Sequence, residues 1–285
     1  MPTKIRGYAE RHELRLDLGP SATSAVLVAT GWTDYAFSGD NVAAHHQGLA
    51  LAPPALEVKS ASGAWRPVLA NIGIPVGRPQ TVVVNLRGQL RPGERKIRIV
   101  TNMRIYWDQI LVETSPIDLG ARESRAEASL AVLHWRGFSA ATTPDGREPY
   151  SYDYDRVSTT VIWKTMTGRY TREGDVRELL SRSDDMFVIA RPGDEIALSF
   201  DASAFPALEA GRSRTFLLYS DGFSKEMDIN SATPYAVEPL PFHGMKGYPY
   251  GPEQRYPDTA AHREYRARYN TRTISRAVPP LELVR

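Results

Sequence analysis

Leu14, Leu16 and Leu18 alternate with Arg15 and Asp17, and this two-residue period constrains the chain more than any other feature. Successive side chains on a strand point to opposite faces, so alternation marks one buried face and one wet face. The pattern recurs where Ile97 and Ile99 alternate with Lys96 and Arg98. Ser24 to Ala29, Thr81 to Leu86 and Gln109 to Val112 are apolar runs of strand length. Leu56 to Lys59 and Trp65 to Leu69 flank a Ser60 to Gly63 turn signal, which predicts a hairpin. About seven short strands thus precede residue 116 with no strong helix among them, the spacing of a sandwich. Gly31 to Gly48 reads as a loop, with Gly39, Asp40 and Asn41 as turn formers.

Residues 116–128 turn polar and read as a linker or crossover. Strands resume at Leu130 to Trp135, Thr159 to Trp163, Phe187 to Ala190, Glu195 to Phe200 and Arg214 to Tyr219. Arg191 to Asp194 reads as a turn, and Asp175 to Ser181 as one or two helical turns. Beyond residue 234, repeated prolines break regular structure. Thr259 to Tyr269 is the best helix, with Thr259 as N-cap and Tyr265 and Tyr269 sharing a face. The expected fold class is all-β. Two jelly-roll-like β-sandwich domains, at 1–115 and 129–233, are followed by an irregular Pro/Tyr-rich extension, 234–285, carrying the short helix.

The 35 basic and 33 acidic residues leave a formal charge of only +2, which argues against a dedicated nucleic-acid binder. No apolar run approaches the ~20 residues of a bilayer span, so no membrane insertion is expected. Met1 to Gly19 has no apolar core of a secretion signal. The expectation is a cytosolic chain, or a fragment whose export signal lies elsewhere. The chain has no cysteine, which excludes disulfides, thiolate catalysis and cysteine-ligated metals.

No nucleophile elbow, zinc-protease or phosphate-loop pattern is present. His45 and His46 are adjacent, so on a strand they face opposite ways. In a loop they still need a third ligand, and Asp40 is the only near candidate. Asp153 with Asp155, and Asp228 with Asn230, present oxygen pairs that suit calcium. Surface turns explain both pairs more cheaply. No cofactor is expected; at most a structural calcium would sit at Asp228 and Asn230. Asp175, Asp184, Asp185, Glu195 and Asp201 are carboxylates available to a glycan hydrolase, whose pair must face across a cleft. Tyr150, Tyr152 and Tyr154 recur every second residue. If extended, their rings share one face, with Ser151, Asp153 and Asp155 on the other. Rings beside carboxylates suit stacking on sugar faces, although most aromatic stripes are core.

The second half carries a set of motifs: Gly168 to Asp175, Asp184–Asp185, Pro192 to Glu195, Phe200–Asp201, Arg214 to Phe216, Gly222 to Lys225, Asp228 to Asn230 and Pro239 to His243. Together they resemble the C-terminal region of large bacterial proteins with FG-GAP/VCBS-type repeats and an ASPIC/UnbV domain, some with tetratricopeptide repeats. Gly31 to Asp34, Gly73 to Arg78 and Tyr106 to Gln109 extend the resemblance to the first half. The repeats themselves are missing: there are no calcium-loop repeats and no 34-residue helical repeats. The resemblance implies an exported or envelope-associated parent and brings no catalytic residues. Gly63 to Val112 also resembles a galactose-binding-type jelly roll. The expected role is a non-catalytic binding or structural module, with carbohydrate as first ligand and protein as second. A glycan hydrolase using carboxylates of the second half is the alternative.

Overall fold

The computed structural model describes residues 4–20, 26–113, 122–143, 146, 150–161, 164–231 and 233–276. Strand outweighs helix among them, 35% against 10%, so the fold is all-β and sandwich-like with short helices. The chain divides into two compact units. One holds residues 1–121 and 143–149, the other 122–142 and 150–285.

The first unit contains β1 (Tyr8–Asp17), β2 (Val26–Thr33), α1 (Ser38–His46), β3 (Ala55–Lys59), β4 (Trp65–Leu69), β5 (Gln80–Asn85), β6 (Lys96–Met103) and β7 (Ile105–Glu113). Two antiparallel sheets form, in the orders β1-β6-β3-β4 and β5-β2-β7. Leu14 and Leu16 pair with Ile99 and Ile97, which pair in turn with Leu56 and Val58. On the other sheet, Leu27 and Ala29 sit between Val84 and Val82 on one side and Val112 and Ile110 on the other. Both rows feed one core, so the alternation buries one face of each sheet against the other. On the wet face Arg98 bonds Glu13 at 2.6 Å and Glu57 at 2.7 Å.

Gly31 to Gly48 departs from the expected loop. β2 runs on to Thr33, and Ser38–His46 is helical. Gly39, Asp40 and Asn41 look like turn formers, but they make the helix's first turn. The Asp40 carboxylate accepts from the Phe37 N–H at 3.0 Å, which satisfies a donor the helix start leaves open. Ala44 is buried with Ile5 and Tyr8, a contact no local pattern announces.

The second unit contains β8 (Leu130–Trp135), β9 (Phe138–Thr142), β10 (Ser151–Ser158), β11 (Gly168–Tyr170), β12 (Gly174–Asp175), α2 (Arg177–Leu180), β13 (Asp194–Ser199), α3 (Ala260–Tyr269) and β14 (Arg272–Ile274). Its sheets are small: β12-β8-β13, β10-β9 and β11-β14. The Arg191–Asp194 turn forms as expected. Gly193 has φ +92°, and a Cβ there would lie 2.6 Å from the Trp135 ring nitrogen, so both backbone and space require glycine. Thr259 caps α3, accepting from the His262 N–H at 3.4 Å, and Tyr265 and Tyr269 are buried together.

Three expected strands of this unit are not strands. Thr159 to Val161 is irregular, and Ile162 and Trp163 lie outside the described residues. Phe187 to Ala190 pairs with no strand among the described residues. Thr171 supplies its bonds instead: its hydroxyl accepts from the Ile189 N–H at 2.8 Å and its N–H donates to the Ile189 carbonyl at 3.0 Å. Met186 and Val188 pack into one set of core residues while Phe187 and Ile189 pack into another. The apolar run is therefore a spacer between cores rather than part of a ladder. Arg214 to Tyr219 is irregular and exposed. The proline-rich stretch contributes to the core through Val237 and Leu240. Tyr248 and Tyr250 anchor it, donating to the carbonyls of Pro239 and Leu240 at 2.8 and 3.0 Å.

Candidate functional site

β10 carries Tyr152 and Tyr154, and Tyr150 lies just before it. Tyr150, Tyr152 and Tyr154 are 50%, 53% and 70% exposed, so none is a core residue. The expected single face is interrupted. β10 pairs with β9 through Tyr152 and Asp153, and pairing resumes only at Val157. Residues 154–156 therefore bulge out of the alternation. The Asp153 carboxylate accepts from the Asp155 N–H at 3.1 Å, a local turn that builds the bulge. The Arg136 guanidinium donates to the Tyr154 carbonyl and to the Ser139 hydroxyl, tying the bulge to β9. Tyr152 is thus held in register, while Tyr154 is projected by the bulge.

The other oxygen pair, Asp228 and Asn230, sits in a tight turn. The Asp228 carboxylate accepts from the Asn230 N–H at 2.8 Å, and its carbonyl accepts from the Ser231 hydroxyl at 2.7 Å. His45 and His46 stand exposed in the last turn of α1 with ring centres 6.3 Å apart. Asp40 is committed at the opposite end of the helix. Among the described residues no three His, Asp or Glu side chains converge as metal ligands.

The carboxylates considered for hydrolysis are mostly engaged locally. Asp175 accepts from the Arg177 N–H, Asp184 from the Met186 N–H and Asp201 from Ser203. Glu195 pairs with His134 and Arg136. Asp185 does something different. Its Oδ1 accepts from the His243 N–H at 2.8 Å and lies 2.8 Å from Nδ1 of the same histidine. The other ring nitrogen, Nε2, lies 3.1 Å from Asp221 Oδ2. The Ser183 hydroxyl donates to that same oxygen and sits 3.5 Å from Nε2. Three irregular segments meet on one imidazole.

Ser183, His243 and Asp185 imitate a serine–histidine–carboxylate relay in outline. Asp221 changes its chemistry. With a carboxylate facing each nitrogen, the arrangement favours the doubly protonated ring, which has no lone pair to take a proton from Ser183. The serine proton is already directed at Asp221. The group is an ion-paired clasp rather than an activated nucleophile. Hydrogen bonds from Asp185 and then Asp221 hold the imidazole above its ordinary value of 6.5. The Ser183 hydroxyl, then His243, holds Asp221 below its usual range. A group with a raised folded-state value adds stability that is complete below 6.5 and fades as pH rises through the folded value. We therefore expect the His243 ring protons to titrate above pH 6.5 by NMR, and to move down in Asp185→Asn. A midpoint at 6.5 in both proteins would contradict the clasp.

Beside the clasp, the Tyr256 hydroxyl donates to the Asp185 carbonyl. The same tyrosine lines a pocket of about 170 Å³ with Arg169, Glu238, Tyr250 and Arg266. That volume is below the roughly 300 Å³ at which drug-sized ligand pockets begin. No helix among the described residues is long and apolar enough to cross a membrane. The clasp has no local sequence signature, because its partners lie 22 and 58 residues from His243. The local signals near it are the adjacency of Asp184 and Asp185 and the Pro239 to His243 motif. No family model, curated protein or solved structure matches the chain.

Proposed function

We propose that this chain is a non-catalytic binding or structural module whose ligand face is the tyrosine-bearing strand β10. Carbohydrate is the first ligand class and a protein surface the second. The observation that carries the reading is the exposure of all three rings, with Asp153 and Asp155 interleaved among them in the sequence. A ring supplies apolar area to a sugar face, and neighbouring carboxylates fix hydroxyl directions. The engagement of Asp175, Asp184, Asp201 and Glu195 in turns and ion pairs favours binding over glycan hydrolysis. The motif resemblance adds a context, a module of a larger exported repeat protein.

Tyr152→Ala tests the ligand face. A stacked ring contributes on the order of 1 kcal/mol, so glycan affinity is expected to fall about fivefold. An exposed ring contributes little to folding, so stability is expected to change by less than about 0.5 kcal/mol. Glycan-array binding with thermal melting reads both. An array silent for the unaltered protein, or a melt lowered as for a core tyrosine, would remove the reading.

A further inference from the structure

The least satisfied part of the second unit is Arg214 to Tyr219. Phe216, Leu217, Leu218 and Tyr219 are 70%, 93%, 68% and 82% exposed. Alternate residues of an extended segment face opposite ways, so this stretch is apolar on both sides. That is the composition of a strand flanked and covered on each face, yet it pairs with no strand among the described residues. A run of this kind left in water marks an interaction site.

A matching vacancy exists in the same unit. β13 pairs with β8 on one side, and no strand among the described residues occupies its other side. Ile196 packs into the core. Leu198 and Phe200 follow on the same face and are exposed. An open edge with exposed apolar side chains is a template for an added strand.

The segment is held at both ends. At its start the Arg214 guanidinium donates to the Pro206 carbonyl and lies 5.9 Å from the Phe205 ring centre. Just beyond its end, Asp221 is tied to Ser183 and His243. It is a tethered span of roughly 20 Å at strand rise, presented outward.

We propose that Arg214–Tyr219 is a docking strand that adds to the open edge of β13 in a second copy of this chain. Each copy carries both strand and edge, so the exchange can be reciprocal, and the proposal is the closed two-fold dimer in which each strand fills the other copy's edge. Its size is adequate. A buried aromatic removes roughly 150–250 Å² from water, so the four aromatics of two strands account for about 600–1,000 Å². Four leucines and the covered edges bring the interface to the approximately 1,200–2,000 Å² of stable complexes.

The test is sedimentation velocity of the full chain from about 1 to 100 μM, with hydrogen exchange followed at residues 194–199 and 214–219. The expected result is a dimer, with exchange in both segments slowing as concentration rises. Leu217→Lys should weaken the dimer at least about tenfold while leaving circular dichroism unchanged, since Leu217 makes almost no contact within the chain. A monomer at every concentration overturns the proposal. If both segments are protected in that monomer, the strand closes on its own β13. Open-ended aggregates larger than a dimer overturn it too, as would a dimer indifferent to Leu217→Lys.

Discussion

Asp194→Ala is expected to destabilise the second unit by about 3–5 kcal/mol, the usual consequence of stripping one partner from a buried ion pair. The Asp194 side chain is fully buried and Arg272 is only 18% exposed. The guanidinium meets the carboxylate with both terminal nitrogens, one at 3.0 Å, the two-pronged geometry that makes arginine–carboxylate pairs strong. The pair joins β13 to β14 across 78 residues of sequence. Asp194 also accepts from the Arg191 N–H at 2.9 Å, closing the turn before β13. Alanine leaves the half-buried Arg272 guanidinium with only the more exposed Glu173 carboxylate, at 3.3 Å, and opens that turn. Denaturant unfolding measures the loss, and a change below about 1 kcal/mol would contradict the assignment. Asp194→Leu combined with Arg272→Met removes both charges, and should recover most of the stability. The remaining deficit should be near the roughly 1 kcal/mol of the lost turn hydrogen bond.

Asp194 also marks how far sequence reaches. The Arg191–Pro192–Gly193–Asp194 turn is legible because its chemistry is local: glycine for the positive φ and aspartate for the backbone bond. The same holds for Thr259 as a cap and for the alternating rows of β1, β6 and β13. In each, neighbours in sequence determine the pattern. The Arg272 pairing is a tertiary choice that nothing near Asp194 signals. Phe187 to Ala190 fails as a strand for the opposite reason. Its apolar content is real, but the core on either side consumes it and no ladder forms. α1 was hidden because Gly39, Asp40 and Asn41 serve a helix start as readily as a turn.

The candidate site divides along the same line. Tyrosines spaced by two residues are visible in any sequence, and their exposure agrees with a surface role. The bulge at residues 154–156 is not visible, because it depends on Asp153 capping Asp155 and on Arg136 reaching the Tyr154 carbonyl. The clasp on His243 depends entirely on folding. It assembles residues 183, 185, 221 and 243, each of which reads alone as a polar loop residue.

The first unit has its own decisive side chain. Leu56→Ala is expected to cost about 2.7–5 kcal/mol, the range for leucine truncation in a packed core. Leu56 is fully buried on a strand that is itself interior. It pairs with Ile99 on one side and Leu69 on the other. The row it belongs to faces Leu27 and Val84 of the opposing sheet in one shared core. Neighbours held in two ladders cannot easily close over the space left behind, so the loss should fall in the upper part of that range. Transfer of the missing methyl groups alone would account for roughly 2 kcal/mol. The excess measures the cavity. Leu56→Val, which keeps a branched side chain, should cost clearly less than the alanine change. Denaturant titration with hydrogen exchange read at β3 and β6 gives the local value. A cost below about 1.5 kcal/mol for Leu56→Ala would mean that the two sheets do not share the core assigned to them.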